Sequence, residues 1–227
     1  MNILSVDTSG GACSVAVFHD ECLAAEEYIN NGMNHSTVLM DTIDQVFHVS
    51  GMAVGQMDLF AVSAGPGSFT GLRIGMSTIK AFAQVGKKPI AAINTLDLLA
   101  ANFEGFPDIV CPMIDARQGR VYACAYKLGK KIRNDSIYMA EELAASFSEE
   151  QANQPILLLG DGADIYEKYF KDRFFDLQVA PGFLRYQRAS AAMRLALAAY
   201  HKGKVFSCFD ARLNYFAQSQ AERSLRG

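Results

Sequence analysis

A glycine-rich turn between a strand and a helix constrains this chain more than any other segment. The turn, Gly65–Gly67, follows the apolar run Leu59–Ala64, which predicts a buried strand, and precedes a helical pattern that ends near Gln84. Ser68 is placed to cap that helix. The spacing matches neither a P-loop, which also needs a lysine, nor G-x-G-x-x-G, because the third glycine comes one residue late at Gly71. The segment therefore predicts a tight structural turn rather than a phosphate site.

The helix after this turn carries two apolar stripes. The first consists of large residues, Leu72, Met76 and Ile79, with Ala83. The second consists mostly of smaller residues: Gly71, Ile74, Gly75, Thr78, Ala81 and Val85. A surface helix usually has one apolar stripe, so two stripes predict a helix covered on two sides. The second partner can belong to the same chain or to another one, because buried and interface stripes look alike in sequence.

The order of predicted elements repeats along the chain. Ile3–Val6 and Ile109–Ile114 are apolar strands that end in Asp7 and Asp115, and each is followed by a turn and a second strand. Strands followed by alternating helices and strands predict mixed sheets with helices on their faces. We therefore predict an α/β fold with two duplicated lobes. The predicted lobes are residues 1–103 and residues 104–227, joined by a linker at 104–108.

The composition favours a compact globular protein. Half of the 227 residues are hydrophobic, and the net charge of −3 gives no global reason to bind nucleic acid directly. The five cysteines are odd in number and widely spaced, which favours reduced thiols over a disulfide framework. The chain shows no signal-peptide pattern and no apolar run as long as a membrane span. We expect a soluble, cytoplasmic protein that does not bind membranes.

Equivalent aspartates at the two strand ends suggest a nucleotide cleft of the kind found in actin-like ATPases and sugar kinases. Asp7-Thr8-Ser9 would form the first phosphate turn, and Asp115-Ala116-Arg117 the second. The alternative is that Asp7 only caps its own turn through its carboxylate. The four histidines are scattered without an H-x-x-x-H pair, so no metal site is predicted. A stand-alone ATP-dependent kinase or ATPase remains one hypothesis.

Several segments together resemble the bacterial TsaB (YeaZ) family, over nearly the whole chain. These segments are Ile3–Ser9, His35-Ser36, Gly65–Gly75, Asp115–Tyr122 and the tail Asn214–Arg223. The tail departs from the family pattern at Leu213, where the family often has Pro, and at Ala217, where it often has Arg.

The resemblance implies two tandem lobes of actin-like/ribonuclease H-like fold. It implies a non-catalytic scaffold subunit of the complex that makes N6-threonylcarbamoyladenosine beside the anticodon of tRNA. The implied partners are a catalytic TsaD-type paralogue, a TsaE-type ATPase, a second copy of the chain when it is alone, and tRNA indirectly through the complex. No catalytic residue, metal or cofactor is expected in this chain, because ATP and magnesium would act in the partner complex.

The resemblance also implies where pairing occurs, namely through helices at residues 36–47 and 70–84. The expected interface residues are His35, Ser36, Leu39, Ile43, Phe69, Gly71, Arg73, Ile74, Gly75 and Thr78. We expect Leu39, Ile43 and the Gly71/Gly75 face to be buried against an equivalent helix pair. The residues of a vestigial nucleotide cleft would be Asp7, Thr8, Ser9, Asp115 and Arg117.

Overall fold

The computed structural model describes residues 1–214, which form two compact units. The first unit contains Met1–Thr95 and the described residues from Arg188 onward, and the second contains Leu96–Gln187. The part of the predicted tail from Tyr215 to Arg223 lies outside the described residues. None of the helices among residues 1–214 has the length and apolar character that crossing a bilayer demands.

The first unit is built on a five-stranded mixed sheet with the strand order β3-β2-β1-β4-β5. Its strands are β1 (Ile3–Asp7), β2 (Cys13–His19), β3 (Cys22–Ile29), β4 (Leu59–Gly65) and β5 (Ile90–Asn94). Strand β2 is antiparallel to β1 and β3, whereas β4 is parallel to β1 and β5. Every residue of β1 and β4 is buried, as expected of central strands that are covered on both faces.

Helices cover both faces of this sheet. Helix α1 (His35–Ser50) packs on β2 and β3, and α2 (Phe69–Gly86) packs on β4, so that both helices share one apolar cluster with the sheet. Helix α8 (Ala192–His201) contacts β1, β4 and β5 and contributes no residue to that cluster. It therefore covers the opposite face.

The second unit repeats this plan with the strand order β10-β9-β6-β7-β8. Its strands are β6 (Ile109–Asp115), β7 (Arg120–Lys127), β8 (Lys130–Met139), β9 (Ile156–Leu159) and β10 (Leu177–Val179). The remaining helices are α3 (Thr95–Ala101), α4 (Ala140–Ala145), α5 (Glu149–Ala152), α6 (Asp161–Lys171) and α7 (Gly182–Arg185). In both sheets the first three strands are antiparallel and the last two run parallel to the first, which confirms the predicted duplication.

The division into units differs from the predicted boundary at residues 103/104 in two places. Helix α3 belongs to the second unit, because Leu96 and Leu99 pack with Cys124 in a buried apolar cluster. The segment after α8 returns to the first unit, because the backbone groups of Phe206 and Ile90 exchange two hydrogen bonds at the edge of β5.

Candidate functional site

The carboxylate of Asp7 is enclosed at the end of β1, where the residue is 1% exposed. It accepts hydrogen bonds from the backbone N–H of Ser9 at 3.1 Å, from the Ser9 hydroxyl at 3.0 Å and from the Ser63 hydroxyl. Ser63 reaches it because Val6 and Val62 are paired in the parallel register, which makes the next residues neighbours.

This environment decides what Asp7 can do. Burial raises the pKa of Asp7, and the hydrogen bonds from Ser63 and Ser9 partly offset that effect. A magnesium ion keeps several waters and needs accessible carboxylate oxygens. The enclosed carboxylate does not fit such an ion, and it acts instead as a cap that ties β1 to β4.

Helix α2 begins directly on the Asp7 turn. The backbone N–H of Ser68 donates to the carbonyl of Ser9 at 2.7 Å, and the hydroxyl of Thr8 donates to the carbonyl of Gly71 at 2.7 Å. The Ser68 hydroxyl accepts the N–H of Gly71 at 3.2 Å, which confirms the predicted cap. The glycine-rich turn is therefore a structural junction between β4, α2 and the end of β1.

Helix α1 begins at the same junction. The Nε2 atom of His35 lies 2.9 Å from the carbonyl oxygen of Gly10, and the ring contacts the position where a Cβ would stand on Gly71. His35 is partly exposed and positions the start of α1 against the start of α2.

The Gly71/Gly75 face of α2 packs closely against the end of β1 in its own lobe, and its expected part in pairing stays a prediction. A Cβ on Gly71 would overlap the carbonyl oxygen of Thr8, and a Cβ on Gly75 would lie 2.5 Å from Thr8 Oγ1. Leu39 and Ile43 are 2% and 3% exposed in the core of their own lobe, and their expected part in pairing also stays a prediction. Small residues permit close approach by a strand end as readily as by another helix.

The outer face of α1 and α2 contains the other predicted interface residues. Those that are exposed or partly exposed are His35, Ser36, Phe69, Arg73, Ile74 and Thr78. The Phe69 ring, in a residue 39% exposed, lies under the guanidinium of Arg73, with Cζ 3.7 Å from the ring centroid. An accessible aromatic ring held by an arginine has the chemistry of an interface anchor.

A groove of about 800 Å³ lies on the same helices and was missed by the sequence predictions. Both apolar and acidic side chains line the groove. The lining residues are Met40, Asp41, Ile43, Asp44, Gln45, Phe47, His48, Met52, Ala53, Val54 and Phe82. Met40 is 53% exposed. Its place on the polar side of α1, one residue away from the buried stripe, is the sequence signal that could have indicated this surface.

In the second unit, Asp115 occupies the place that Asp7 has in the first. Its Oδ1 accepts the backbone N–H of Arg117 and the hydroxyl of Tyr166, each at 2.9 Å, and its own N–H donates to Asp161 Oδ1 at 3.0 Å. Arg117 is exposed and has a left-handed backbone with φ 64°. The carboxylate is partly exposed, yet it too caps its turn.

A separate cluster in the second unit holds Asp97, Cys124 and Asp135, whose ligand atoms lie within 4.8 Å of one another. The ammonium of Lys131 lies 2.7 Å from Asp97 Oδ1 and 2.6 Å from Asp135 Oδ1. Burial raises the pKa of the Cys124 thiol, which keeps it protonated. Because the Lys131 ammonium already bridges the two carboxylates, we interpret this cluster as an ion-pair network.

Comparison with known proteins identifies the family. A family model described as TsaD, tRNA N6-adenosine threonylcarbamoyltransferase, matches residues 30–180, more than half of the chain. The tRNA threonylcarbamoyladenosine biosynthesis protein TsaB of Bacillus subtilis is 29% identical over 174 residues, which cover 76% of each protein. The Escherichia coli protein of the same name is 25% identical over 100% of this chain and 99% of its own length. The chain belongs to the TsaB (YeaZ) branch of this family.

The solved structure of YeaZ from Pseudomonas aeruginosa agrees with this TsaB-family assignment. It matches with a TM-score of 0.79 at 26% identity, covering 94% of this chain and 99% of that one. The solved structures that are less than 25% identical to this chain show only that the fold is shared. The predicted fold, two tandem actin-like/ribonuclease H-like lobes, is confirmed.

Proposed function

We propose that this chain is a non-catalytic scaffold subunit of the machinery that makes N6-threonylcarbamoyladenosine in tRNA. It would pair with a TsaD-type catalytic paralogue through the outer face of α1 and α2, and with a second copy when the paralogue is absent. Its Bacillus subtilis and Escherichia coli relatives are named tRNA threonylcarbamoyladenosine biosynthesis proteins. The family model that it matches is named for the transferase.

The observation that carries the pairing proposal is the apolar character of this outer face. Apolar side chains that point to solvent on α1 are Met40, 53% exposed, and Val49, 64% exposed. On α2 they are Phe69, 39% exposed, and Val85, 88% exposed. Nine residues apart in one helix, Met40 and Val49 point to opposite sides of α1, so the candidate contact surface is Met40 with the adjacent groove, an apolar surface of the kind that marks protein–protein contacts.

The geometry of the two aspartates supports a non-catalytic role. Asp7 is enclosed by Ser9 and Ser63, and Asp115 holds the turn at Arg117. A stand-alone kinase or ATPase would need these carboxylates to face a metal–nucleotide complex. In the proposed role, ATP and magnesium act in the catalytic paralogue, together with a TsaE-type ATPase. The complex works in the cytoplasm, and tRNA is bound by the complex rather than by this chain alone. The vestigial-cleft assignment of Asp7, Thr8, Ser9, Asp115 and Arg117 stays a prediction.

The test is to mix the purified chain with the TsaD-type paralogue of the same organism and measure complex mass by light scattering. Threonylcarbamoyladenosine formation on tRNA is then assayed for each chain alone and for the mixture, with threonylcarbamoyl-adenylate as the donor of the transferred group and a TsaE-type ATPase in every reaction. ATP turnover is assayed separately, without the TsaE-type ATPase. We expect a new heterodimer peak and modification only in the mixture. ATP turnover by this chain alone, lost in Asp7→Asn, would favour the kinase or ATPase hypothesis instead.

A matched pair of variants localises the contact. Met40→Glu introduces a charge on the outer face of α1, whereas Phe175→Glu introduces the same charge at a 91% exposed apolar residue of the second unit. We expect Met40→Glu to weaken heterodimer formation by about tenfold or more, because a charge is costly to bury at an interface, and Phe175→Glu to leave it unchanged. Equal affinities for both variants would contradict the assignment of the α1–α2 face.

A further inference from the structure

The charged residues of the first unit are divided between two parts of the chain. Residues 1–72 contain eight aspartates and glutamates and no lysine or arginine. The described remainder of the unit, residues 73–95 and 188–214, contains nine lysines and arginines and one acidic residue, Asp210. The second unit is not basic, because residues 96–187 contain fourteen acidic and ten basic residues. One part of the first unit is therefore strongly basic, although the net charge of the whole chain is −3.

The fold places these two parts at opposite edges of the first sheet. The acidic part supplies the edge strand β3 and helix α1, whereas the basic part supplies the edge strand β5, helix α8 and the segment after it. Arg188 is an exception, because its guanidinium lies 2.6 Å from Glu26 of β3. Five cations lie in the loop before β5 and between the end of α8 and Asn214, and they are named the basic edge: Lys87, Lys88, Lys202, Lys204 and Arg212.

Two aromatic rings are exposed among these cations. The backbone groups of Phe206 and Ile90 exchange two hydrogen bonds of 2.8 Å, and this bridge is antiparallel, so the residues after Phe206 return beside Lys88. Phe206 is 42% exposed and Phe209 is 70% exposed. The guanidinium of Arg212 donates a hydrogen bond to the carbonyl oxygen of Phe209, which keeps a cation next to that residue. Cations and accessible rings therefore lie together along one edge of the sheet.

Most of the lysines of the basic edge are not neutralised by acidic groups. Lys88 lies 3.6 Å from Asp58. Lys87, Lys202 and Lys204 are exposed, and within residues 1–214 none of the three has an ion pair or a side-chain hydrogen bond. Lys87 and Lys202 directly follow helices, where a cation stabilises the helix dipole. That role leaves their charges in solvent and does not account for the exposed rings beside them.

We propose that the basic edge binds unpaired nucleotides of RNA, with its lysines at the phosphates and the ring of Phe209 against a base. Lysines bind phosphates and release counterions, and exposed aromatic rings stack on unpaired bases. An acidic protein would neutralise the lysines, but its carboxylates offer the ring of Phe209 nothing to stack on. The inference rests on the proposed function for the identity of the RNA. It assigns to this chain one part of the surface with which the complex holds tRNA.

The role of the charges is tested by measuring RNA binding at several salt concentrations. The probes are a fluorescent tRNA transcript and a fluorescent single strand of about 12 nucleotides, a length typical of single-strand sites. Each is titrated with the chain alone and with its complex with the TsaD-type paralogue. We expect Lys87→Gln/Lys204→Gln to raise the dissociation constant about tenfold. For the single strand, the slope of log affinity against log salt should become shallower by about 1.4, because each lost phosphate contact removes about 0.7.

The role of the ring is tested separately at Phe209. Phe209→Leu keeps an apolar side chain but removes the ring, so we expect the dissociation constant to rise about fivefold or more without a change in the salt dependence. Phe209→Trp keeps a ring and should retain the wild-type affinity. Equal affinities for the wild type and both variants would overturn the proposed stacking contact.

The control is Lys130→Gln/Lys168→Gln, which removes two exposed lysines of the second unit and should leave RNA binding unchanged. Circular dichroism establishes that each variant is folded. If the control lost as much affinity as Lys87→Gln/Lys204→Gln, the binding would be general charge attraction and the proposal would be wrong. Vesicles that contain anionic phospholipid are a further probe. If the basic-edge variants lost vesicle binding but kept RNA binding, the surface would face a membrane and the proposal would also be wrong.

The outcomes separate this inference from the proposed function, because light scattering measures heterodimer formation for every variant. If the wild-type complex forms and modifies tRNA while the basic-edge variants keep their RNA affinity, the inference is refuted and the proposed function stands. If the wild-type chain does not pair with the paralogue but binds the single strand with the expected losses in the variants, the proposed function is refuted and the basic edge stands. Lower RNA affinity in variants that still form the heterodimer supports both.

Discussion

The close packing of α2 on the Asp7 turn predicts opposite effects for one substitution made at two glycines of the same helix. In an isolated helix, Gly→Ala is stabilising by about 0.5–1 kcal/mol, because alanine loses less backbone entropy on folding. At Gly71, however, the added methyl group would overlap the carbonyl oxygen of Thr8. At Gly86 the nearest atom is Cγ of the flexible Lys88 side chain, 3.3 Å away, so the methyl group can be accommodated.

The magnitude at Gly71 follows from three terms. Forcing the strand end away costs about 1–3 kcal/mol of overpacking. Separating the Thr8 hydroxyl from the Gly71 carbonyl, 2.7 Å apart, costs about 0.5–1.5 kcal/mol more. Subtracting the gain in helix propensity leaves a net loss of about 0.5–4 kcal/mol for Gly71→Ala. Gly86→Ala should be neutral or stabilising by up to about 1 kcal/mol.

Urea unfolding followed by far-ultraviolet circular dichroism measures both values. We expect the midpoint of Gly71→Ala to fall and that of Gly86→Ala to stay or rise, with unchanged slopes. If Gly71→Ala were as stable as the wild type or more so, α2 would not approach the end of β1 as closely as described. The glycine face would then be available for a partner, as the sequence first suggested.

Three further predictions concern titratable groups. Burial raises the pKa of the Asp7 carboxyl, so the folded chain binds the carboxyl proton more tightly than the unfolded chain does. The wild type should therefore lose stability relative to Asp7→Asn as the pH rises from about 4. A difference in urea midpoints that does not change with pH would contradict this. A thiol reagent at about pH 8 should modify the exposed Cys22 in the folded chain. Cys111 should react only after unfolding, because burial raises the pKa of its thiol to about 12. Peptide mapping of the modified chain distinguishes the two cysteines. In the same urea assay, Lys131→Met should destabilise the second unit by about 1–3 kcal/mol, because Asp97 and Asp135 lose the ammonium between them. Lys131→Arg keeps a positive charge at this position and should retain most of the stability. Equal midpoints for the two Lys131 variants would show that the ion pairs contribute nothing.

Most of the fold could be predicted from the sequence, because its strands are apolar runs bounded by turn residues. The runs Ile3–Val6, Leu59–Ala64 and Ile109–Ile114 correspond to β1, β4 and β6 within one residue at each end. The elements that were missed are α5, β10 and α7, each three or four residues long. Such short segments contain too few residues to show a helical or alternating period.

The candidate site was predicted less well, because the spacing of small residues indicates that something packs closely on a helix but does not identify which residue it is. Gly71 and Gly75 correctly indicated a close neighbour of α2, and that neighbour is Thr8 of the same lobe, through its carbonyl oxygen at Gly71 and its side chain at Gly75. The cap on Asp7 depends on Ser63, a hydroxyl in an otherwise apolar strand, whose role appears only once the parallel register of β1 and β4 is known. The return of Phe206 to the edge of β5 is similarly a long-range pairing that local patterns do not contain.

The division of the first unit into two stretches of chain has a consequence for synthesis on the ribosome. Its first stretch ends at Thr95, and its second begins at Arg188, after the whole second unit has been translated. At typical elongation rates this interval lasts on the order of ten seconds. Throughout that time the face of the first sheet that α8 later covers is bare, and β5 has an unpaired edge. The second unit is complete before the first, so a nascent chain stalled in this interval would be the form most in need of a chaperone.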